Sequence, residues 1–302
     1  MAWLALPTGW IPDPPDRRDF RPGDERLKKV LRPSKATAQL LTKTAPALPS
    51  SIDLTQWFPP IDSQVPFASC TASAAAGILG FFERKAFSHT VIPSRMFLYK
   101  VERNLLHQTG DTGAFLRIAM KALRAFGMPP EEFWPFDPRL LDVEPSPFHY
   151  AFASNYKAVS YFRLDPAGTT GDELLTSIKT TLSGSLPIMF GLALYPSFEQ
   201  AVAGKIPLPF AWERAVVLHA LVACGFDDAQ EITGRDAATG RVQTTRGAVR
   251  IRNSWGTTWG DGGYGWLPYD YIRRGLTSDW WSLMKADYLD TGEFGPGTAP
   301  EQ

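Results

Sequence analysis

A thiol, an imidazole and a carboxamide, each in a distinctive segment, are the residues of this chain best suited to chemistry. Cys70 closes the stretch Gln64-Val65-Pro66-Phe67-Ala68-Ser69-Cys70 and precedes a run of small residues at 72–76. His219 lies in Val216-Val217-Leu218-His219-Ala220-Leu221-Val222, and Asn253 opens Asn253-Ser254-Trp255-Gly256, followed by Trp259-Gly260. Cysteine, histidine and asparagine in that order supply a nucleophile, its base and the group that orients the base. Attack of the sulfur on a carbonyl carbon gives a thioester, so the expected reaction is hydrolysis through an acyl-enzyme. A free thiol titrates near about 8.5 and is mostly protonated at neutral pH. The chemistry therefore calls for Cys70 at a helix N-terminus, where the dipole favours a thiolate, and for an imidazolium beside it. Gln64, six residues before Cys70, offers a side-chain N–H to a developing oxyanion, with the Cys70 backbone N–H as second donor. Trp255 is expected to shield the Asn253–His219 hydrogen bond from water.

Composition narrows the function classes. Lys+Arg and Asp+Glu are equal at 31 each among 302 residues, which removes the overall attraction that nucleic-acid binding requires. No apolar run approaches the roughly 18 residues needed to cross a bilayer, so no membrane partner is expected. The opening apolar stretch at 2–6 ends at Pro7, short of a secretory core of about 7–15 residues. Two cysteines, Cys70 and Cys224, are too few for a disulfide framework and point to a reducing, cytoplasmic setting. Cys224 sits in an apolar run and reads as core. His89, His107 and His149 show no paired spacing for a metal, so neither metal nor cofactor is expected.

The elements that must position these groups fall into an arm, a body and a tail. The first fifty residues hold eight prolines, which rule out a continuous helix or central strand. Trp3, Trp10 and Phe20 give this arm, residues 1–48, apolar anchors against the body, with one short helix at 23–31 stopped by Pro33. The body spans 49–290. Helices are expected over 70–84, 94–106 and 112–123, where Gly127 and Pro129-Pro130 stop the last, and one more over 172–182. Strands are expected over 158–162, 186–193, 216–225, 248–252 and 263–267, spaced by Gly, Pro and Asp as in an antiparallel sheet or barrel. Between them, 227–246 reads as a polar hairpin turning at Gly240. Residues 291–302, rich in Gly and Pro, read as a flexible tail. The expected class is α+β: a helical lobe at about 64–141 and a β-rich lobe at about 142–290, with the nucleophile in one, the base and amide in the other, and a cleft between.

Taken together, these segments resemble the papain-like cysteine peptidases. The Gln64-to-Cys70 interval matches that family, and Asn253-Ser254-Trp255-Gly256-Thr257-Thr258-Trp259-Gly260-Asp261-Gly262-Gly263-Tyr264-Gly265 matches its Asn-Ser-Trp-Gly segment nearly throughout. Leu218-His219-Ala220 to Gly225-Phe226 resembles its histidine strand. Gly110-Asp111-Thr112-Gly113 and Trp134-Pro135-Phe136 resemble the stretch leading to its Tyr-Pro-Tyr turn. The resemblance covers about 49–289. It implies a two-lobe fold with a helical left lobe and an antiparallel β-barrel right lobe, and peptide-bond hydrolysis. It assigns Cys70 as nucleophile, His219 as base, Asn253 as orienter and Gln64 as oxyanion donor. It also places Trp255, Trp259, Asp111, Thr112 and Gly113 along the substrate.

The sequence departs from the family around the nucleophile. Phe67-Ala68-Ser69-Cys70-Thr71 stands where the family writes Cys-Gly-Ser-Cys-Trp, so a family disulfide is lost and Ala68 puts a methyl group where substrate backbone is expected. Val65-Pro66 stiffens the oxyanion loop. The long helical propeptide is replaced by the short arm, which is expected to cross the cleft as an intramolecular inhibitor, beside a peptide or protein as substrate. Two other classes remain open at this level: a non-catalytic peptide- or partner-binding protein of the same fold, and a thiol acyltransferase or deamidase using the same residues.

Overall fold

The histidine strand is the element around which the β-rich half is assembled. In the computed structural model, which describes residues 2–21, 24, 48–88, 90–236 and 238–286, this strand is β6 (Val217–Arg235). It pairs antiparallel with β5 (Ile188–Leu194) and with β7 (Val242–Arg252). β9 (Thr277–Ala286) lies between β5 and β4 (Ala158–Arg163), β8 (Tyr264–Pro268) flanks β7, and β2 (Ser51–Asp53) adds to β6. β5 is apolar almost throughout and buried on both faces, because the arm and helices cover one side and the sheet core the other.

The expected barrel is not closed. The strand path ends at β4 on one side and β8 on the other, and no pairing among the described strands joins those ends. β6 and β7 instead stay paired far beyond the core, to Arg235 and Val242, with register slips near Gly225 and between Asp227 and Glu231. Such irregularities bend a ladder, and here the outer half leaves as a two-stranded ribbon that turns at Gly240, where φ is 71°. The polar stretch at 227–246 is thus the expected hairpin, paired as far as Arg235 and Val242. β9 and the short helices α4 (Pro147–Ala153) and α6 (Tyr269–Arg273) were not anticipated from the sequence. β9 escapes notice because its start mixes Thr, Ser and Asp, and Asp279 sits at a positive φ of 58°. Apart from residue 24, the region 23–31 lies outside the described residues, as does the tail at 291–302.

The helical half is built on α1 (Cys70–Phe87), α2 (Arg95–Leu105) and α3 (Leu116–Ala125). Small residues let α1 lie against β6 and β7: a Cβ on Gly77 would come within 3.2 Å of Arg252. Ser94 caps α2 by accepting from the Phe97 N–H, which satisfies one of the free donors of its first turn. α3 begins at Leu116 rather than 112. Gly113 has a φ of 74°, and Ala114–Phe115 is extended as β3, pairing in parallel with β1 (Trp10–Ile11) of the arm. α5 (Gly171–Ser183) covers β6 and starts with a capping box between Thr170 and Glu173. Arg252 fastens the two halves by donating to the carbonyls of Pro59 and Pro60 at 2.9 and 2.7 Å.

Trp280 and Trp281 are fully buried. Trp280 stacks on Phe190 with ring centroids 4.1 Å apart, tying β9 to β5. Trp280→Ala is expected to destabilise the fold by about 3–5 kcal/mol, the usual cost of deleting a large buried aromatic. Urea denaturation followed by circular dichroism checks this.

Candidate active site

Cys70 is the first residue of α1. Ser69, the cap residue, makes no side-chain cap hydrogen bond, so its side chain leaves the first-turn N–H groups unclaimed around the sulfur. His219 and Ala220 run alongside on β6, and the Ala220 backbone N–H points at the sulfur. His219 is wholly buried. Its Nε2 lies 2.8 Å from Asn253 Oδ1, an atom that also accepts the Ser254 N–H at 2.8 Å. An oxygen already accepting one N–H fixes the direction of the other contact: His219 carries its proton on Nε2, and Nδ1 keeps a lone pair. That Nδ1 is buried with no hydrogen-bond partner. Trp255 lies flat on the imidazole, centroids 4.6 Å apart at 21°, and keeps water from the His219–Asn253 bond.

Gln64 is fixed from both halves of the molecule. Its Oε1 accepts from Ser254 Oγ at 2.6 Å, and its backbone N–H donates to the Ser254 carbonyl at 2.8 Å. This leaves Nε2 as the donor, directed at Phe67 O and at the arm. A network behind the opposite wall does similar work. Arg103 donates to Gly110 O, Tyr99 O–H donates to Asp111 at 2.6 Å, and Asp111 accepts the Ala68 N–H at 2.9 Å. Thr71, next to the nucleophile, donates to the buried Glu102 at 2.7 Å. Burial pushes the Glu102 carboxyl up to about 8. Ser254, inside the Asn-Ser-Trp-Gly segment, was given no role from the sequence, and Glu102 was not singled out because no local pattern marks it.

The arm crosses this site. Trp3 stacks on Trp255 with an interplanar angle of 2°. Pro7 O accepts from Gln64 Nε2 at 2.9 Å, and the Gly9 N–H donates to Cys70 Sγ at 3.2 Å. Gly9 is wedged between Ala68 and Gly113: its own Cβ would fall 1.7 Å from Ala68 O, and one on Gly113 would fall 2.2 Å from Gly9 O. Trp10 then lies over Gly191 and donates its indole N–H to Asp279 at 3.1 Å.

Burial under this cover sets the protonation. It pushes the Cys70 thiol up to about 11, against the backbone N–H groups of Ala220 and Gly9 that favour the thiolate. It pushes the His219 imidazole down to about 4, against its hydrogen bond to Asn253. Excluding water thus penalises both charges of the expected thiolate–imidazolium pair while the arm is in place.

Cys70, His219, Asn253 and Gln64 converge on one place, with Trp255 and Gly113 at its walls. The other expected substrate contacts are engaged with neighbouring residues of the chain. Asp111 holds Ala68 and Tyr99, Thr112 donates to its neighbour Gln108, and Trp259 is packed against Phe198 and Trp255 with 1% exposure. Cys224 is buried and free. Trp212 staples the outer ribbon through Asp236. His149 bonds Ser146 and Phe133.

A two-lobed body with a cysteine on a helix N-terminus and a histidine–asparagine pair on the facing sheet defines a thiol-hydrolase architecture, and comparison with known proteins is specific about which. No protein-family model matches the sequence. A protein of Acanthamoeba polyphaga mimivirus, described as an uncharacterized peptidase C1-like protein, is 31% identical over 298 residues, covering 95% of this chain and 90% of the relative. The crystal structure of xylellain, a cysteine protease from Xylella fastidiosa, superposes with a TM-score of 0.71 at 30% identity, covering 93% of this chain and 97% of that one. Procathepsin L 3 of the Tenebrio molitor larval midgut shares the fold at a TM-score of 0.60 and 15% identity, over 80% of this chain and 72% of its own. The chain belongs to the papain-like cysteine peptidases and is a cysteine peptidase acting on peptide substrates. Among the described residues no helix is long and apolar enough to cross a membrane.

Proposed function

We propose that Cys70 is the nucleophile of this peptidase, with His219 as base, Asn253 as orienter, Gln64 and the Cys70 backbone N–H as oxyanion donors, and residues 2–21 as an intramolecular cover. The observation that carries the reading is the arm's position: it occupies the oxyanion donor with one carbonyl and the sulfur with one N–H. Once the cover leaves, solvent relieves the penalty on both charges, and the Cys70 proton passes to the free lone pair of His219 Nδ1. The thiolate attacks a substrate carbonyl carbon, and its oxygen takes the place now held by Pro7 O. His219 returns the proton from Nδ1 to the leaving amine, leaving a thioester. Water, losing a proton to Nδ1, hydrolyses the thioester and frees the thiol. Trp255, now stacked on Trp3, forms the leaving-group wall, and Gly113 faces the substrate backbone on the other side.

The same geometry does not present the arm for cleavage. Hydrolysis requires one peptide unit to present its oxygen to Gln64 and its carbon to Cys70. Here Gln64 holds the carbonyl of Pro7, whereas the sulfur receives the nitrogen of Gly9, two residues further on. The atom facing the sulfur is a donor, not an electrophile.

The test is hydrolysis of a short fluorogenic peptide by the full chain, with products identified by mass spectrometry. Carboxylate products that disappear in Cys70→Ser are expected; amide-exchanged products would indicate acyl transfer, and unchanged hydrolysis in Cys70→Ser would end the assignment. Gln64→Ala is expected to lower kcat by about 100- to 1,000-fold, the usual cost of one oxyanion donor, with KM little changed. A cytoplasmic location is part of the proposal, supported by two free thiols and tested by cell fractionation.

A further inference from the structure

The Asn253 amide is held at one end only. Its Oδ1 accepts from the His219 ring and from the Ser254 N–H. Its Nδ2 is buried with no hydrogen-bond partner, and so is Ser73 Oγ. The two side chains come from opposite halves of the molecule. Ser73 lies on α1, one turn beyond Cys70, where its backbone N–H donates to Ser69 O at 3.0 Å. Asn253 directly follows β7. Ser73 is 3% exposed and Asn253 2%. A buried polar atom without a partner is costly, and native structures satisfy nearly all of them.

Both residues border one small cavity, together with Asp62, Arg252 and residues 220–222 of β6. It offers about 10 Å³ to a water-sized sphere, about the least that holds one water molecule. Among the described residues, no other unpartnered buried side-chain atom belongs to a residue bordering it. A buried water needs about two to four polar partners, and their types here are complementary. Asn253 Nδ2 only donates, the Asp62 carboxylate only accepts, and the Ser73 hydroxyl does either. Asp62 is itself matched by Arg95 at 3.2 Å and Arg252 at 3.7 Å. An amide N–H and a guanidinium disfavour a cation in this space, and the carboxylate disfavours an anion, so a small neutral molecule fits best.

We propose that this cavity is a site for one water molecule that ties Asn253 to Ser73, and that Ser73 is thereby a positioning residue for the His219–Asn253 pair. The proposal rests on Asn253 being the orienter of His219. The water oxygen accepts from Asn253 Nδ2, and its two hydrogens go to Ser73 Oγ and the Asp62 carboxylate. Both ends of the amide are then held, and Oδ1 stays turned to His219. The helix that carries the nucleophile and the strand end that orients the base share one hydrogen-bonded link. No arm residue borders the cavity, so the link persists when the cover leaves.

The test is a high-resolution crystal structure of the full chain and of its Ser73→Ala variant, with kcat and KM of both. In the full chain one ordered oxygen is expected within hydrogen-bond reach of Asn253 Nδ2 and Ser73 Oγ, and it should weaken or vanish in Ser73→Ala. In the variant kcat is expected to fall by about two- to tenfold, the worth of one net hydrogen bond, with KM unchanged because Ser73 touches no substrate. No such oxygen in the full chain, an equally occupied one in the variant, or an unchanged kcat overturns the proposal. Should Ser73→Ala fail to fold, the Asn253 side-chain amide of the full chain decides instead by nuclear Overhauser transfer: a cross-peak to bound water supports the site, and its absence overturns it. The density readout needs no catalysis, so a failed peptidase assignment and a failed water site are told apart.

Discussion

Gly9→Ala is expected to raise peptidase activity by roughly five- to 150-fold. The new methyl group would lie 1.7 Å from the Ala68 carbonyl oxygen and 2.8 Å from the Ala68 Cβ. These are backbone and wall atoms rather than the end of a flexible side chain, so the arm itself must yield. Forcing extra volume into a packed site costs about 1–3 kcal/mol, and that energy is carried by the closure equilibrium, which spans about 5- to 150-fold for such a range. The effect should appear in the fraction of active molecules, with KM unchanged. Ala68 has a part in this. The methyl group that departs from the family's glycine does not merely narrow a substrate path; it forms one side of a slot that admits only glycine from the arm. Measurement of initial rates with active-site titration checks the prediction.

Cys70→Ser and His219→Ala are each expected to lower kcat by on the order of 10⁴- to 10⁶-fold. The direction follows from the tautomer. With Nε2 committed to Asn253, Nδ1 is the nitrogen left to take the thiol proton, and without it the sulfur stays protonated. Because the two residues act as one unit, the double variant is expected to be no slower than either single variant within a few-fold. Losses that multiply would show that the two side chains act independently. Single-turnover assays on enzyme of verified fold separate these outcomes.

Much of this site was legible in the sequence because its residues sit in short contiguous segments. Asn253 through Gly265 form one strand-turn unit, and the six-residue spacing of Gln64 and Cys70 is set by one loop. The helices over 70–84, 94–106 and 172–182 were legible for the same reason: propensity and stop signals are local. The start of α3 was not, since Ala114 and Phe115 are drawn into a strand by Trp10 and Ile11, a hundred residues away. The open edge of the sheet was missed because the outer pairing of β6 and β7 competes with closure, and composition does not reveal which wins. The shifts that the arm imposes on the pair were not legible for a related reason. Sequence places a thiol beside an imidazole, but only the path of the arm shows that water is excluded from both. The Asp13–Asp279 contact joins residues 266 apart in the chain and left no local mark.

The central claim is that a competent thiol lies under a removable cover, and alkylation by iodoacetamide at neutral pH, read by peptide mass mapping, tests it most directly. Cys224, buried in the β-sheet core with a strongly raised thiol pKa, serves as the internal reference. The structure predicts modification at Cys70 alone, slow in the full chain and faster in Gly9→Ala by the same factor as activity. Equal rates in the two proteins, or modification of Cys224 in preference to Cys70, would contradict it.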